Sequence, residues 1–315
     1  MNINPNKDIF EELLDKMDIV KNKSFTKEEC MLQEEIVSSR KEYEKVLQKY
    51  EKYLEYEELL NQLAWDTPEK RFICRGYCAV CGKDVIMYYK GVQREQEKKE
   101  ERRSELRENF YCPICNATAR WRYVISKVRR IYNKGMKVYM YEYNSPAYLA
   151  ASNFVSNDDL IGSEYFGSDY KSGEYVNGVL HEDAANLSFE NESIDIILSL
   201  DVFEHIYFYK EAFEEIYRVL KPNGKLILTI PMNPENEFTK DRAKIENGET
   251  TFIESPIYHG GANHTDFGVL VYTDFGWDII SIIKSIGFSE VNLTTYFSVN
   301  EAYFGRVNYY FDITK

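Results

Sequence analysis

From residue 137 to the end, the sequence predicts an α/β domain built on a parallel sheet, preceded by a zinc-ribbon-like module and an α-helical arm. Three observations carry that reading. After residue 137 short apolar runs alternate with helical segments, the pattern of strands joined by crossover helices. Two Cys-x-x-Cys pairs stand between residues 67 and 136. Through the first 66 residues apolar side chains recur at helical spacing. With 315 residues, 44% of them hydrophobic, the chain is long enough for about two domains with a sizeable core.

The arm, residues 1–66, is rich in Glu, Lys, Leu and Tyr. Ile36, Tyr43, Val46, Leu47, Tyr50, Leu54, Leu60 and Leu63 form the stripe of one or two long amphipathic helices, with Glu57 as a gap. Pro5 and the Asn22–Ser24–Thr26 stretch bracket a first short helix, and Thr26, followed by Glu28 and Glu29, reads as an N-cap. Such a stripe packs on a neighbouring element of the same chain or on a second copy in a homodimer.

In the module, residues 67–136, Cys78-Ala-Val-Cys81-Gly and Cys112-Pro-Ile-Cys115-Asn each place two thiolates on a knuckle. Four soft ligands suit a tetrahedral zinc, and a site closed by four thiolates leaves no position for substrate, so its expected role is structural. Gly82 and Asn116 stand where a knuckle needs positive φ. Cys74 reads as a bystander and Cys30 as a helix-surface or core thiol. The run Lys90–Asn109 between the knuckles alternates charge at helical spacing and reads as an exposed helix.

No apolar run is long enough to span a bilayer and the N-terminus shows no secretory signal, so a cytoplasmic location with no membrane partner is expected. A net charge of −13 repels the phosphate backbone on average. Residues 90–137 nevertheless hold 14 Lys and Arg against 6 Glu, with Arg120, Trp121, Arg122, Arg129 and Arg130 interleaving charge and an aromatic ring, a candidate nucleic-acid surface.

In the third region Ser193–Leu200 reads as a buried strand ending in the polar cluster Asp201-Val-Phe-Glu204-His205, and ligands of open α/β sheets sit at such carboxyl ends. A helix over Glu211–Leu220 follows, then the turn Lys221-Pro-Asn-Gly224 and a strand, Lys225–Pro231. Val291–Val299 and Val307–Thr314 form an antiparallel hairpin, Tyr303-Phe-Gly305 between them is a candidate pocket rim, and Phe275-Gly-Trp277 opens a helix as core packing.

The run HEDAANLSFENESIDIILSLDVFEHI, followed by EIYRVLKPNGKLILTIP, resembles the class I S-adenosylmethionine (SAM)-dependent methyltransferases, in particular a methyltransferase type 11-like bacterial group with this DVFEH block and downstream YHG and FGW. The resemblance covers residues 137–315 and implies a Rossmann-like seven-stranded sheet. It also implies SAM-binding positions. Glu142, ending the strand Lys137–Glu142, organises the methionine end. Glu164, ending Leu160–Glu164, holds both ribose hydroxyls, and Asp183 with Ala184 meets the adenine. Asp201, Val202 and His205 line the methionine and methyl region. The family's glycine-rich turn is absent: Glu142-Tyr-Asn-Ser-Pro146 has no glycine. Either Asn144 or Ser145 caps a helix starting at Pro146 and its N–H groups replace the glycine loop, or the site has lost SAM and the domain is a scaffold.

Methyl transfer from a sulfonium is mostly a matter of in-line positioning, while a hydroxyl acceptor also needs a base. His259 is the first candidate for base or substrate contact, with His264 next and Tyr258 beside it in Tyr258-His259-Gly260, a feature of the resembled group. His181 reads as a strand-end surface residue, and Arg242 as a solvated loop residue or an anchor for an anionic group. The expected reaction is O-methylation of a small molecule, glycan or secondary metabolite. The alternatives are an RNA or tRNA methyltransferase using the zinc module to hold nucleic acid, and a SAM-free scaffold that binds a partner.

Overall fold

The helical arm starts as its spacing predicts. Helix α1 (Pro5–Ser24) is followed by α2 (Lys27–Cys30), and a complete capping box sets the start of α2: Thr26 Oγ1 accepts from Glu29 N and Glu29 Oε2 accepts from Thr26 N. The computed structural model describes residues 5–65, 73–89, 106–246, 248–259 and 268–315, and leaves undescribed the side chains of residues 5–10, 12–13, 61–65, 259, 306 and 307.

After α2 the stripe expected to form one or two long helices begins instead in a strand. Residues Gln33–Val37 form a strand, β1, and helices resume only at α3 (Arg40–Lys49) and α4 (Glu51–Trp65). Val37 is buried while Ile36 faces solvent, the period of two that belongs to a strand. Ser39 stops the strand by capping α3 through Glu42 N. The stripe of α3 and α4 is covered by the chain's own body. Tyr43 meets Trp277, Tyr53 meets Phe297, and Tyr56 meets Phe304. Glu57, the gap in the stripe, is buried because its Oε2 accepts the Gly305 N–H at 3.0 Å.

The module forms a three-stranded antiparallel sheet, β2 (Ile73–Cys78), β3 (Lys83–Tyr89) and β4 (Phe110–Tyr111). One knuckle is the β2–β3 turn and the other follows β4. Of the expected charged helix, Leu106–Asn109 is helical (α5), and the preceding part of that run, from residue 90, lies outside the described residues. Thr118 then caps α6 (Ala119–Ile131) through Trp121 N.

The main sheet takes β5 (Val138–Met140), β6 (Leu160–Glu164), β7 (Tyr175–Val176), β8 (Val179–His181), β9 (Ile194–Leu200), β10 (Leu220–Thr229), β11 (Glu290–Ser298) and β12 (Tyr303–Thr314). Helices α7 (Pro146–Ala151), α8 (Tyr209–Val219) and α9 (Ile279–Ile286) connect them. Its order is β1-β11-β12-β10-β9-β5-β6-β8-β7. Strands β8, β6, β5, β9 and β10 run parallel, and β12 and β11 add the antiparallel hairpin. These seven are the expected Rossmann-like sheet. Antiparallel β7 extends one edge and β1 the other, pairing from Gln33↔Phe297 to Val37↔Leu293. Asn223, at φ +63°, takes the left-handed position of the turn before Lys225.

Arg122, read from the sequence as part of a basic surface, is fully buried. Its guanidinium donates to the Glu301 and Ala302 carbonyls and stacks over Tyr303, tying α6 to the β11–β12 turn. Tyr303 and Phe304 are core residues rather than a pocket rim, because α4, α5 and α6 close over them. Arg122→Ala leaves two buried carbonyls unpaired around a void and is expected to cost about 3 kcal/mol, read as a lowered urea midpoint.

Candidate active site and four-thiolate centre

Parallel alignment of β8, β6, β5, β9 and β10 brings their carboxyl ends to one edge, and an acid stands at or just past three adjacent ends. Glu142 follows β5, Glu164 ends β6, and Asp183 lies two residues past β8. Glu142 Oε2 is buried with no hydrogen-bond partner among the described residues. Burial pushes its pKa up to about 8. Asp201, Glu164 and Glu204 push the same way, and Arg120 opposes them. Glu164 is raised to about 7, again by burial.

Asn144 shapes the glycine-free turn. It adopts φ +57°, the left-handed conformation a glycine would otherwise supply. Ser145 then caps α7, its Oγ accepting from Tyr148 N at 3.1 Å, with Pro146 in the first turn. The glycine that this corner requires is on the neighbouring strand: a Cβ on Gly162 would stand 2.6 Å from the Tyr148 ring and 3.0 Å from Tyr143.

Asp183 is held in a tight turn. Its N–H donates to Ser172 Oγ and its Oδ1 accepts from Ala185 N, both at 2.9 Å, with Ala184 half-buried between. His181 is fully buried, contrary to the surface position expected. Its Nδ1 accepts from Phe166 N, and Tyr165, Phe166 and Tyr170 surround its ring.

Asp201, past β9, also takes a positive φ, +56°, with its N–H donated to Thr229 O. Its carboxylate meets Arg120, which is 5% exposed. Arg120 Nη1 lies 3.0 Å from Asp201 Oδ2 and 3.0 Å from Thr229 Oγ1, while Nε and Nη2 form a fork on Glu108 at 2.9 and 3.0 Å. Burial works against the guanidinium charge, yet Asp201, Glu108 and Glu142 outweigh it and hold its pKa above the ordinary arginine value. The sequence reading had placed Arg120 on a nucleic-acid surface. Thr118, three residues after Cys115, caps the helix, and Ala119, Arg120 and Arg122 of its first turn are buried.

Val202, half-buried, leads into the turn Phe203–His205, and His205 Nδ1 lies 2.8 Å from the Leu270 carbonyl. Leu270 pairs with Tyr258, and Val269 with His259, which brings the backbone of Tyr258 and His259 beside the carboxyl edge. Tyr258 is exposed; the His259 side chain and all of His264 are outside the described residues. A cleft of about 220 Å³ opens here, between Pro231–Asn233 beyond β10 and Ile257, Val271, Thr273 and Asp274. Arg242 is neither solvated nor free to anchor a ligand. It is buried and bound to Glu254, Asp274 and the Ser255 carbonyl, clamping the segment's base. A larger depression, about 710 Å³, lies away from these strand ends, between α1 and the β2–β3 hairpin; its Arg75 is already paired with Glu11, Asp15 and Asp18.

The four module cysteines converge. Cys78 Sγ is 3.8 Å from Cys115 Sγ, Cys81 Sγ is 3.9 Å from Cys112 Sγ, and all four sulfurs lie within 4.8 Å of one another. A tetrahedron with Zn–S bonds of about 2.3 Å has edges of about 3.8 Å, so the donor set fits zinc. Gly82 at φ +66° and Asn116 at φ +54° occupy the positive-φ positions expected. Cys74 is buried on β2 outside the cluster, its thiol pushed up to about 12 by burial, and Cys30 is buried at the end of α2.

Comparison with known proteins adds the family. Residues 129–228 match the family model described as a methyltransferase domain. An uncharacterized methyltransferase of Schizosaccharomyces pombe is 34% identical over 80 residues, 25% of this chain and 28% of the relative. A methyltransferase-like protein of the same organism is 51% identical over 43 residues, 14% of this chain and 16% of the relative. The matches thus span less than a third of either relative. Among solved structures, a SAM-dependent methyltransferase from Mesorhizobium loti is 14% identical with a TM-score of 0.40, covering 64% of this chain and all of the other. One from Aquifex aeolicus is 16% identical with a TM-score of 0.32, covering 60% and 87%. The block that carries β5, β6, β9 and most of β10 is thus the part of the chain that is similar to methyltransferase domains.

Proposed function

We propose that this protein is a SAM-dependent methyltransferase that methylates an oxygen of a small-molecule or saccharide acceptor, with residues 137–315 as the catalytic domain. The module of residues 67–136 holds a structural zinc through Cys78, Cys81, Cys112 and Cys115, and residues 1–66 brace the sheet. The observation that carries the reading is the row of acids at three adjacent strand ends, inside and beside the segment that matches the methyltransferase family. Glu142, with its orphaned buried oxygen, suits the cofactor's ammonium, and Asn144 shapes the turn beside it. Glu164 suits the ribose hydroxyls, and Asp183 with Ala184 the adenine. Asp201, Val202 and His205 line the methyl-donor end. Thiolates of this kind persist in a reducing compartment, in keeping with a cytoplasmic enzyme, and no described helix is long and apolar enough to cross a membrane.

The cofactor supplies a methyl on a sulfonium, whose departing thioether is neutral and needs little covalent help. The protein's part is to align the acceptor and take its proton. His259, paired with Val269 beside the residue that meets His205, is the base in this reading, with Tyr258 and His264 on the same segment as supporting groups. A small acceptor is favoured over nucleic acid because Arg120 and Arg122, two of the candidate phosphate contacts, are buried. A SAM-free scaffold would leave the buried Glu142 carboxyl without a counterpart.

Calorimetry is expected to show S-adenosylhomocysteine binding to the full chain at micromolar levels, weakened at least about tenfold in Asp183→Ala; no binding to the wild type refutes the reading. His259→Ala is expected to lower turnover about 100-fold while sparing that affinity, and unchanged turnover removes it as base. Glu142 adds a pH dependence. Its folded pKa, about 8, lies above the ordinary 4.5, so the ligand-free protein loses stability as pH rises through that window. Thermal unfolding should therefore find Glu142→Gln similar to wild type near pH 4.5 and more stable by about 1–3 kcal/mol above pH 8.

A further inference from the structure

Asp201, beside the methyl-donor end, and Glu108, in the cysteine module, share the Arg120 guanidinium, and that cation belongs to the module. Cys115 and Arg120 are five residues apart, and the backbone between them is fixed: Cys112 N donates to Ala117 O, Tyr111 pairs with Thr118, and Thr118 caps α6. Glu108, which takes the other side of the guanidinium, stands four residues before Cys112. Both groups of the Glu108–Arg120 fork are therefore anchored on the two flanks of one knuckle. The other knuckle is tied to the same helix, because Arg129 of α6 donates to the Val80 carbonyl between Cys78 and Cys81. Arg107 does not replace Arg120. It lies 3.8 Å from Asp201 but is drawn to Glu108 at 2.7 Å.

We propose that Arg120 is a positioning residue that couples the four-thiolate centre to the methyl-donor pocket, so that zinc and the cationic nucleoside cofactor bind cooperatively. With the knuckles closed on a metal, α6 begins where its guanidinium pairs with Asp201 and holds that carboxylate in place at the methyl-donor end. With the knuckles open, the fork loses its anchor and Asp201 loses its nearest cation. The inference rests on the SAM-binding reading above. Because coupling between two binding equilibria is reciprocal, the factor by which zinc strengthens cofactor binding equals the factor by which cofactor strengthens zinc binding.

The test uses the zinc-loaded full chain. Zinc affinity is measured by competition with a metallochromic chelator, with and without saturating S-adenosylhomocysteine. Wild type is expected to hold zinc roughly tenfold more tightly when the nucleoside is bound. Arg120→Met is expected to keep one zinc per chain, bind the nucleoside at least about tenfold more weakly and lose the mutual effect, while Arg120→Lys restores part of it. Glu108→Gln, which leaves Arg120 in place but loosens its anchor, is expected to reduce the coupling without abolishing nucleoside binding, and it stands in if Arg120→Met does not fold. A wild type whose zinc affinity ignores the nucleoside, or an Arg120→Met chain with undiminished coupling, overturns the proposal alone. A wild type that binds no nucleoside refutes the functional reading and the coupling together, and one that binds nucleoside but no zinc overturns only the coupling and the metal assignment.

Discussion

A guanidinium removed from water has to be satisfied on every side, and the interior around Arg120 is organised by that demand. Desolvating such a charge costs several kcal/mol unless partners with good geometry surround it. Glu108 supplies a fork, Asp201 a carboxylate and Thr229 a hydroxyl, from α5, the end of β9 and the end of β10 respectively. These elements come from distant parts of the chain, so the guanidinium fixes how the cysteine module sits against the sheet's carboxyl edge. Arg122, two residues along, does the same work on the far side by holding the β11–β12 turn. The start of α6 is thus a double rivet, and both arginines are spent inside the protein.

What the sequence made legible was local. Cys-x-x-Cys spacing, the positive-φ residues behind each knuckle, the capping box at Thr26 and the apolar strand ending at Asp201 all depend on neighbours within a few residues. What it hid was long-range. The arginines at 120, 122 and 242 look like surface charge until acids and carbonyls from elsewhere in the chain close around them. His181 looked exposed because nothing near it in sequence announces the three aromatic rings that cover it. The glycine-free turn is more instructive. Ser145 caps a helix from Pro146 as the sequence allows, Asn144 supplies the left-handed backbone, and the space comes from β6 through Gly162.

The arm illustrates how a periodicity can be right about burial and wrong about structure. Tyr43, Val46, Tyr50 and Leu60 are buried as their spacing predicts, while Ile36, counted in the same stripe, is on a strand and faces outward. The serines at 38 and 39 divide the two regimes. Glu57 broke the stripe for a reason that no periodicity contains: a backbone N–H from residue 305 needed an acceptor inside the protein.

Strand β1 carries a consequence for how the chain is made. It is synthesised well before its pairing partner among the described residues, β11, which lies on the far side of the whole parallel sheet in chain order. The sheet's outer edge therefore stays open until β11 has been made, and its closure joins segments on opposite sides of the module and the parallel strands. Pairings of such long sequence separation are slow to form. Throughout that delay the nascent β1 presents unsatisfied backbone groups to any other strand, and its consecutive glutamates, Glu34 and Glu35, place like charges where a second copy would have to add.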